Sequence, residues 1–194
     1  MFANSAPSRS SSSTCRVLGI DPGLTRCGFA VVDGRGGRSA VAISLGVITT
    51  PKTDPLPARL AALRSEFTDL IAEYRPQVVA VEQVFFQVNV RTAMSVGQAS
   101  GLALAEAWLA GCEVVQYTPN QVKDAVAGWG GADKLQVQKM VQARLHLSAL
   151  PQPADAADAA ALALCHLAMS PTLGARRAAA SHAAVEARSG GASA

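Results

Sequence analysis

The 194-residue sequence predicts an α/β domain built on a mixed five-stranded sheet flanked by helices. Three observations carry this. Three apolar runs of strand length come first, with a glycine-rich turn between the second and third. Segments with helical spacing then alternate with two further short apolar runs. An alanine-rich stretch, again at helical spacing, closes the pattern.

The first runs are Val17–Ile20, Gly28–Val32 and Val41–Ile48, and Asp33-Gly34-Arg35-Gly36-Gly37 between the last two predicts an antiparallel turn. Leu60, Leu63, Phe67, Leu70, Ile71 and Tyr74 follow the helical period, and Pro76 stops that helix. Val78–Val81 is short and wholly apolar, as a strand covered on both faces should be. A long helix is expected from about Arg91 to Ala110, ending at Gly111, and Glu113–Tyr117 is the fifth strand. Thr118-Pro119 reads as an N-cap followed by proline at the first helical position. Asp133 with Gln136 reads as a capping box opening a helix with Val137, Met140, Val141 and Leu145 on one face. Gly128-Trp129-Gly130-Gly131 joins these two helices as a mobile loop, and the last helix runs from about Asp155 to Met169. Residues 1–15, rich in serine, and residues 171–194, rich in Ala, Ser, Gly and Arg, are expected to be disordered extensions of a domain spanning 16–170.

A hydrophobic content of 49% supplies a substantial core. No apolar run reaches the length of a membrane span, and the N-terminal stretch lacks the apolar segment of a signal peptide, so the chain reads as cytoplasmic. Cys15, Cys27, Cys112 and Cys165 form no CxxC pair, which favours reduced structural thiols over a zinc site or disulfide framework. The net charge of +3 is not a nucleic-acid signal by itself. From Arg16 to Ser170 there are 13 Lys plus Arg against 13 Asp plus Glu, and the excess comes from the two ends.

Four acidic residues carry the chemistry. Asp21 ends the first apolar run, Glu82 ends the fourth, and Asp155 and Asp158 open the last helix. A carboxylate at the end of a buried strand is costly to desolvate and needs a partner. No cation stands beside these in sequence, and four converging carboxylates would repel one another. A divalent metal resolves the conflict, and an all-oxygen set suits Mg²⁺ or Mn²⁺, which points to metal-assisted chemistry on phosphate. Each also has a plainer reading. Asp155 and Asp158 would cap or complement the dipole of a first helical turn, and Asp21-Pro22-Gly23 would be only a turn.

The stretches LGIDPG with Asp21, VEQVF with Glu82, QVKDAVAGWGGADK and DAADAAALALCH, in that order, together resemble the RuvC family of Holliday-junction resolvases, which has the RNase H-like fold. The resemblance covers roughly residues 16–170. It implies a homodimeric endonuclease that cuts two strands of a four-way DNA junction symmetrically, leaving ligatable nicks, in recombination and repair. It also implies two Mg²⁺ or Mn²⁺ ions per subunit, held by Asp21, Glu82, Asp155 and Asp158, and a branch-migration motor complex as partner. In that assignment Asp21 bridges both ions. Asp155 and Asp158, three apart on a helix, share one face and reach the same site.

The same resemblance links Lys123 and Lys134 to phosphate binding or catalysis, where their charge would offset that of the scissile phosphate; the plain alternative is solvent-exposed helix lysines. It assigns Phe85 to the junction, stacking on an unpaired base, whereas core packing is the expected role for one of Phe85 and Phe86. Arg91, just beyond, is placed to contact a phosphate or is simply solvated. His166, two turns after Asp158, reads as a packed or capping histidine outside the metal set. The helix carrying Met94, Gly97, Gly101, Leu102, Ala105, Trp108 and Leu109 leaves little polar surface, and a twofold interface through it fits a symmetric substrate.

Two rival functions are weighed. An actin- or sugar-kinase-like ATPase also places an acidic Gly/Thr turn after a first strand, but it needs a second nucleotide-binding half, and no Walker A loop is present. A non-catalytic junction-binding module would keep its function when Asp21 is replaced.

Overall fold

The structure, a computed structural model, describes residues 14–35, 39–83 and 90–170. Strands β1 (Thr14–Asp21), β2 (Arg26–Arg35) and β3 (Ala40–Thr49) are followed by helix α1 (Leu56–Tyr74), β4 (Val78–Glu82), α2 (Val90–Leu109), β5 (Glu113–Tyr117), α3 (Pro119–Ala127) and α4 (Lys134–Arg144). A fifth helix, α5, spans 154–170. The sheet order is β3-β2-β1-β4-β5. β1 to β3 form an antiparallel meander, while β4 and β5 continue it in parallel with β1.

Side-chain alternation along the strands sorts the helices to two faces. Leu18, Ile20, Val79 and Val81 point to the face covered by α1 and α2, where they meet Leu63, Phe67, Ala99 and Ala103. Val17, Val78 and Ala80 point to the other face, against Val126, Val137, Val141 and the alanines of α5. Asp21 and Glu82 fall in the second set by parity, so both project toward α5.

Gly19 and Gly28 set how close α5 can come. A Cβ on Gly19 would run into the carbonyl of Ala159, and one on Gly28 into the carbonyl of Asp155. With glycine there, the alanine-rich helix lies directly on β1 and β2. This contact explains the small residues Ala156, Ala157, Ala159, Ala160, Ala161 and Ala163, all buried at 1% exposure or less. An alanine-rich stretch here is a close-packing device, and it delivers the first turn of α5 to the end of β1.

Several expected boundaries move. β2 does not end at Val32 but runs on to Arg35, so Asp33 and Gly34 belong to the strand and not to the turn. The reason is a cross-strand partner. Arg16 faces Asp33 in the ladder and donates to it from Nε (2.7 Å) and Nη2 (2.9 Å). β1 likewise starts at Thr14, with Thr14 opposite Arg35 and Cys15 opposite Gly34, two residues before the expected domain boundary. The other expected disordered residues, 1–13 and 171–194, lie outside the described residues.

The anticipated caps form. Thr118 and Gln121 make a reciprocal capping box on α3, as Asp133 and Gln136 do on α4. The four cysteines are free thiols, with Cys27, Cys112 and Cys165 buried. Among the described residues, no helix is long and apolar enough to cross a membrane.

Candidate active site

The parallel strands β1 and β4 pair up to Ile20 with Val81, so Asp21 and Glu82, the last residues of their strands, stand side by side at one end of the sheet. The first turn of α5, held down over Gly28, adds Asp155 and Asp158 from above. All four carboxylates line one cavity of about 420 Å³, together with Lys123 from α3 and Lys134 from α4. The six residues expected to carry catalysis are therefore brought together from five different elements.

The electrostatics are those of a crowded acidic site. Asp21 is pushed up to about 7, chiefly by burial and then by the charges of Glu82, Asp158 and Asp155, with Lys134 opposing the rise. Glu82 is also raised, again mainly by burial, while a hydrogen bond with Asp21 pulls it back. Burial and mutual repulsion thus hold both strand-end carboxyls above the ordinary carboxylate range, with Lys134 partly offsetting the rise.

Each helix carboxylate has its own cation. Lys134 Nζ donates to Asp158 Oδ2 at 2.6 Å, and that bond raises the lysine's own pKa. Asp155 Oδ2 accepts from Arg26, at 2.9 Å from Nε and 2.7 Å from Nη2. Arg26 is a residue the sequence reading missed. It lies five positions after Asp21, beyond the turn, and comes back to the site only because β2 reverses against β1 and sets Gly28 opposite Asp21. A basic residue at the start of the strand paired with the acidic one was the available signal.

The turn between Asp21 and Arg26 is pinned from behind. Arg59 of α1 donates to Thr50 Oγ1 (2.9 Å) and Thr25 Oγ1 (2.8 Å), and the Thr50 amide donates to the Thr25 carbonyl (3.2 Å). Below the cavity His166 is buried, with its Nδ1 2.9 Å from the Tyr117 hydroxyl, the packed role expected of it.

The donor chemistry fits a hard divalent cation. Four carboxylates share one cavity, and the burial and repulsion that raise Asp21 and Glu82 are what a bound cation would relieve. As placed, no group of three or more His, Cys, Asp or Glu side chains among the described residues is gathered so as to hold a metal ion. Asp155 and Asp158 are instead engaged by Arg26 and Lys134.

Two expected DNA contacts are not tested by this geometry. Phe85, with Phe86, lies outside the described residues. Arg91 falls in the first turn of α2, and its side chain is outside them too.

Residues 17–166 match the family model described as "Crossover junction endodeoxyribonuclease RuvC". A protein of that name from Salinispora arenicola is 55% identical over 152 residues, covering 78% of this chain and 87% of its own. One from Parafrankia sp. is 51% identical over 164 residues, covering 84% and 92%. Among solved structures, Thermus thermophilus RuvC in complex with a Holliday junction substrate is 38% identical, with a TM-score of 0.77 over 80% of this chain and 94% of that one. The yeast mitochondrial Holliday junction resolvase Ydc2, at 16% identity and a TM-score of 0.64, shares the fold.

Proposed function

The chain belongs to the RuvC family of crossover junction endodeoxyribonucleases, with that family's RNase H-like fold, and from this premise we propose how its residues resolve a Holliday junction. The enzyme hydrolyses phosphodiesters in two strands of a four-way DNA junction, in the cytoplasm, with two Mg²⁺ or Mn²⁺ ions per subunit held by Asp21, Glu82, Asp155 and Asp158. The observation that carries this reading is the convergence of all four carboxylates and two lysines on one cavity. Bound there, divalent ions supply an activated water and charge on the leaving 3′ oxygen.

The protein's own groups do the rest. Asp21 and Glu82 would hold such ions in their ionised form from the ends of β1 and β4. Arg26 and Lys134 pair with the two helix carboxylates, and a bound divalent ion would compete with them for Asp155 and Asp158. Lys134 would then face the scissile phosphate, and Lys123, which also lines the cavity, would bind phosphate beside it. Pro119, Val122 and Leu162 supply the apolar part of that wall and limit water at the reacting centre.

A homodimer provides the second cut. On α2, Met94, Gly97, Gly101 and Ala105 are exposed at helical spacing, and the two glycines have no heavy atom within 4 Å of where a Cβ would sit. That small-residue seam supports α2 as an isologous interface, placing two cavities about one twofold axis. By family resemblance Phe85 stacks on a base at the crossover, Arg91 contacts a phosphate, and a branch-migration motor complex delivers the junction.

The test is cleavage of an end-labelled synthetic four-way junction beside a linear duplex of the same sequence, in Mg²⁺ and in Mn²⁺. Paired nicks confined to the junction, lost in Asp21→Asn while binding persists, are the expected result. Binding without cleavage in either metal would reduce the protein to an architectural module.

A further inference from the structure

Trp129 is an exposed aromatic side chain on the loop that joins the two helices carrying the cavity lysines. It is 57% exposed. Trp129 sits in the loop between α3 and α4, six residues after Lys123 and five before Lys134, and both lysines line the cavity. The loop is structurally defined. Gly128 closes α3 in the left-handed region (φ 87°) with its amide on the Asp124 carbonyl, and the Ala132 amide donates to the Trp129 carbonyl at 3.3 Å. Ala132 itself is fully buried and anchors the far side.

The indole is also held. Its six-membered ring lies over Gly131 so closely that a Cβ at that position would drive into it. Glycine at 131 is thus what lets the ring lie down on its own loop, leaving the remainder of its surface outward. A pre-set aromatic loses little side-chain entropy on binding, and an exposed aromatic beside lysines pairs a stacking surface with phosphate charge.

Trp108, the other tryptophan, is 74% exposed but lies at the C-terminal end of α2, just before β5 begins. The carboxylates stand at the opposite, C-terminal ends of β1 and β4. Exposure alone therefore does not single out Trp129; its placement between the two cavity lysines does.

We propose that Trp129 is a DNA-contact residue that stacks on a nucleobase next to the phosphate held by Lys123 and Lys134. The proposal rests on the junction-cleaving reading above. It adds a second aromatic platform, on the α3–α4 loop, to the one that family resemblance assigns to Phe85.

The experiment uses the full chain in an Asp21→Asn background with Mg²⁺, so that DNA stays intact, with and without Trp129→Phe. Unlabelled four-way junction is titrated while tryptophan emission is followed, and binding is read independently by anisotropy of a fluorescein-labelled junction. Stacking predicts a saturating loss of emission that disappears in Trp129→Phe. It also predicts binding weakened about tenfold in Trp129→Ala and much less in Trp129→Phe. Emission unchanged at junction concentrations that saturate the anisotropy, with Trp129→Ala binding like its parent, would overturn the proposal and leave the resolvase reading intact. No anisotropy change in any variant would overturn both.

Discussion

Arg26 holds Asp155 across 129 residues of sequence, with Nε and Nη2 at 2.9 and 2.7 Å from the same carboxylate oxygen. Lys134 does the same for Asp158. Before any metal is bound, the acidic site is thus half neutralised by its own cations, each set on a different element. The ion pairs link the start of α5 to β2 and α4, while burial and repulsion hold Asp21 and Glu82 above the ordinary carboxylate range.

Both partners of the Arg26–Asp155 pair are partly exposed, so its worth is that of a screened ion pair, about 0.2–1 kcal/mol. Urea unfolding of Arg26→Ala, Asp155→Asn and the double variant in EDTA should show that coupling. In saturating Mg²⁺ the coupling should vanish, because the ion replaces Arg26 at Asp155. Additive variants in EDTA would mean that the pair does not hold in solution.

Gly28 is the spacer on which Asp155 depends. A Cβ there meets the Asp155 carbonyl, backbone that has no rotamer to move away. Gly28→Ala is expected to cost about 1–3 kcal/mol in urea unfolding, the usual penalty of overpacking. It should also weaken Mg²⁺ binding, measured by calorimetry, because α5 must lift. An unchanged ion affinity would show that the helix carboxylates find the ion without that contact.

Much of this arrangement was legible in the sequence, for identifiable reasons. The fifth strand, Glu113–Tyr117, and the Asp133–Gln136 capping box formed at the expected residues because each is a local signal. Asp21 and Glu82 were legible because a charge ending an apolar run is conspicuous. What escaped was set by tertiary pairing. Asp33 looked like a turn residue until Arg16 on the neighbouring strand made it a strand residue. Arg26 drew no reading, since nothing near it in sequence announces Asp155. Gly19 and Gly28 acquire their role only from α5, whose backbone lies directly on them.

The titration of Asp21 gives a pH signature. Its carboxyl stands at about 7 in the folded protein against the ordinary 3.8, so between those values the native state holds a proton that the unfolded chain has lost. The resulting stabilisation is complete below about pH 4 and disappears as pH rises through 7. In EDTA, then, Tm should fall over that interval, and Asp21→Asn should gain on the parent as pH rises, with no gain at pH 4. Mg²⁺ should bind with proton release below pH 7, visible as a calorimetric heat that depends on buffer ionisation. A parent and Asp21→Asn difference that stays flat from pH 4 to 8 would refute the raised pKa of Asp21.

Lys134 and Lys123 should separate when tested kinetically. Lys134 is close enough to donate to Asp158 at 2.6 Å, at the centre of the carboxylate group, whereas Lys123 comes from α3 on the cavity wall. A cation aimed at charge that develops during the reaction contributes mainly to turnover, and its loss typically costs on the order of 10²–10³ in rate. Lys134→Ala should therefore lower single-turnover junction cleavage by about that factor while anisotropy shows near-parent binding. Lys123→Ala should do the reverse in kind, weakening binding and flattening its salt dependence, because one phosphate contact is gone. If Lys134→Ala instead lost affinity and kept its single-turnover rate at saturating enzyme, the lysine would be a docking charge, and its bond to Asp158 a feature of the metal-free protein alone.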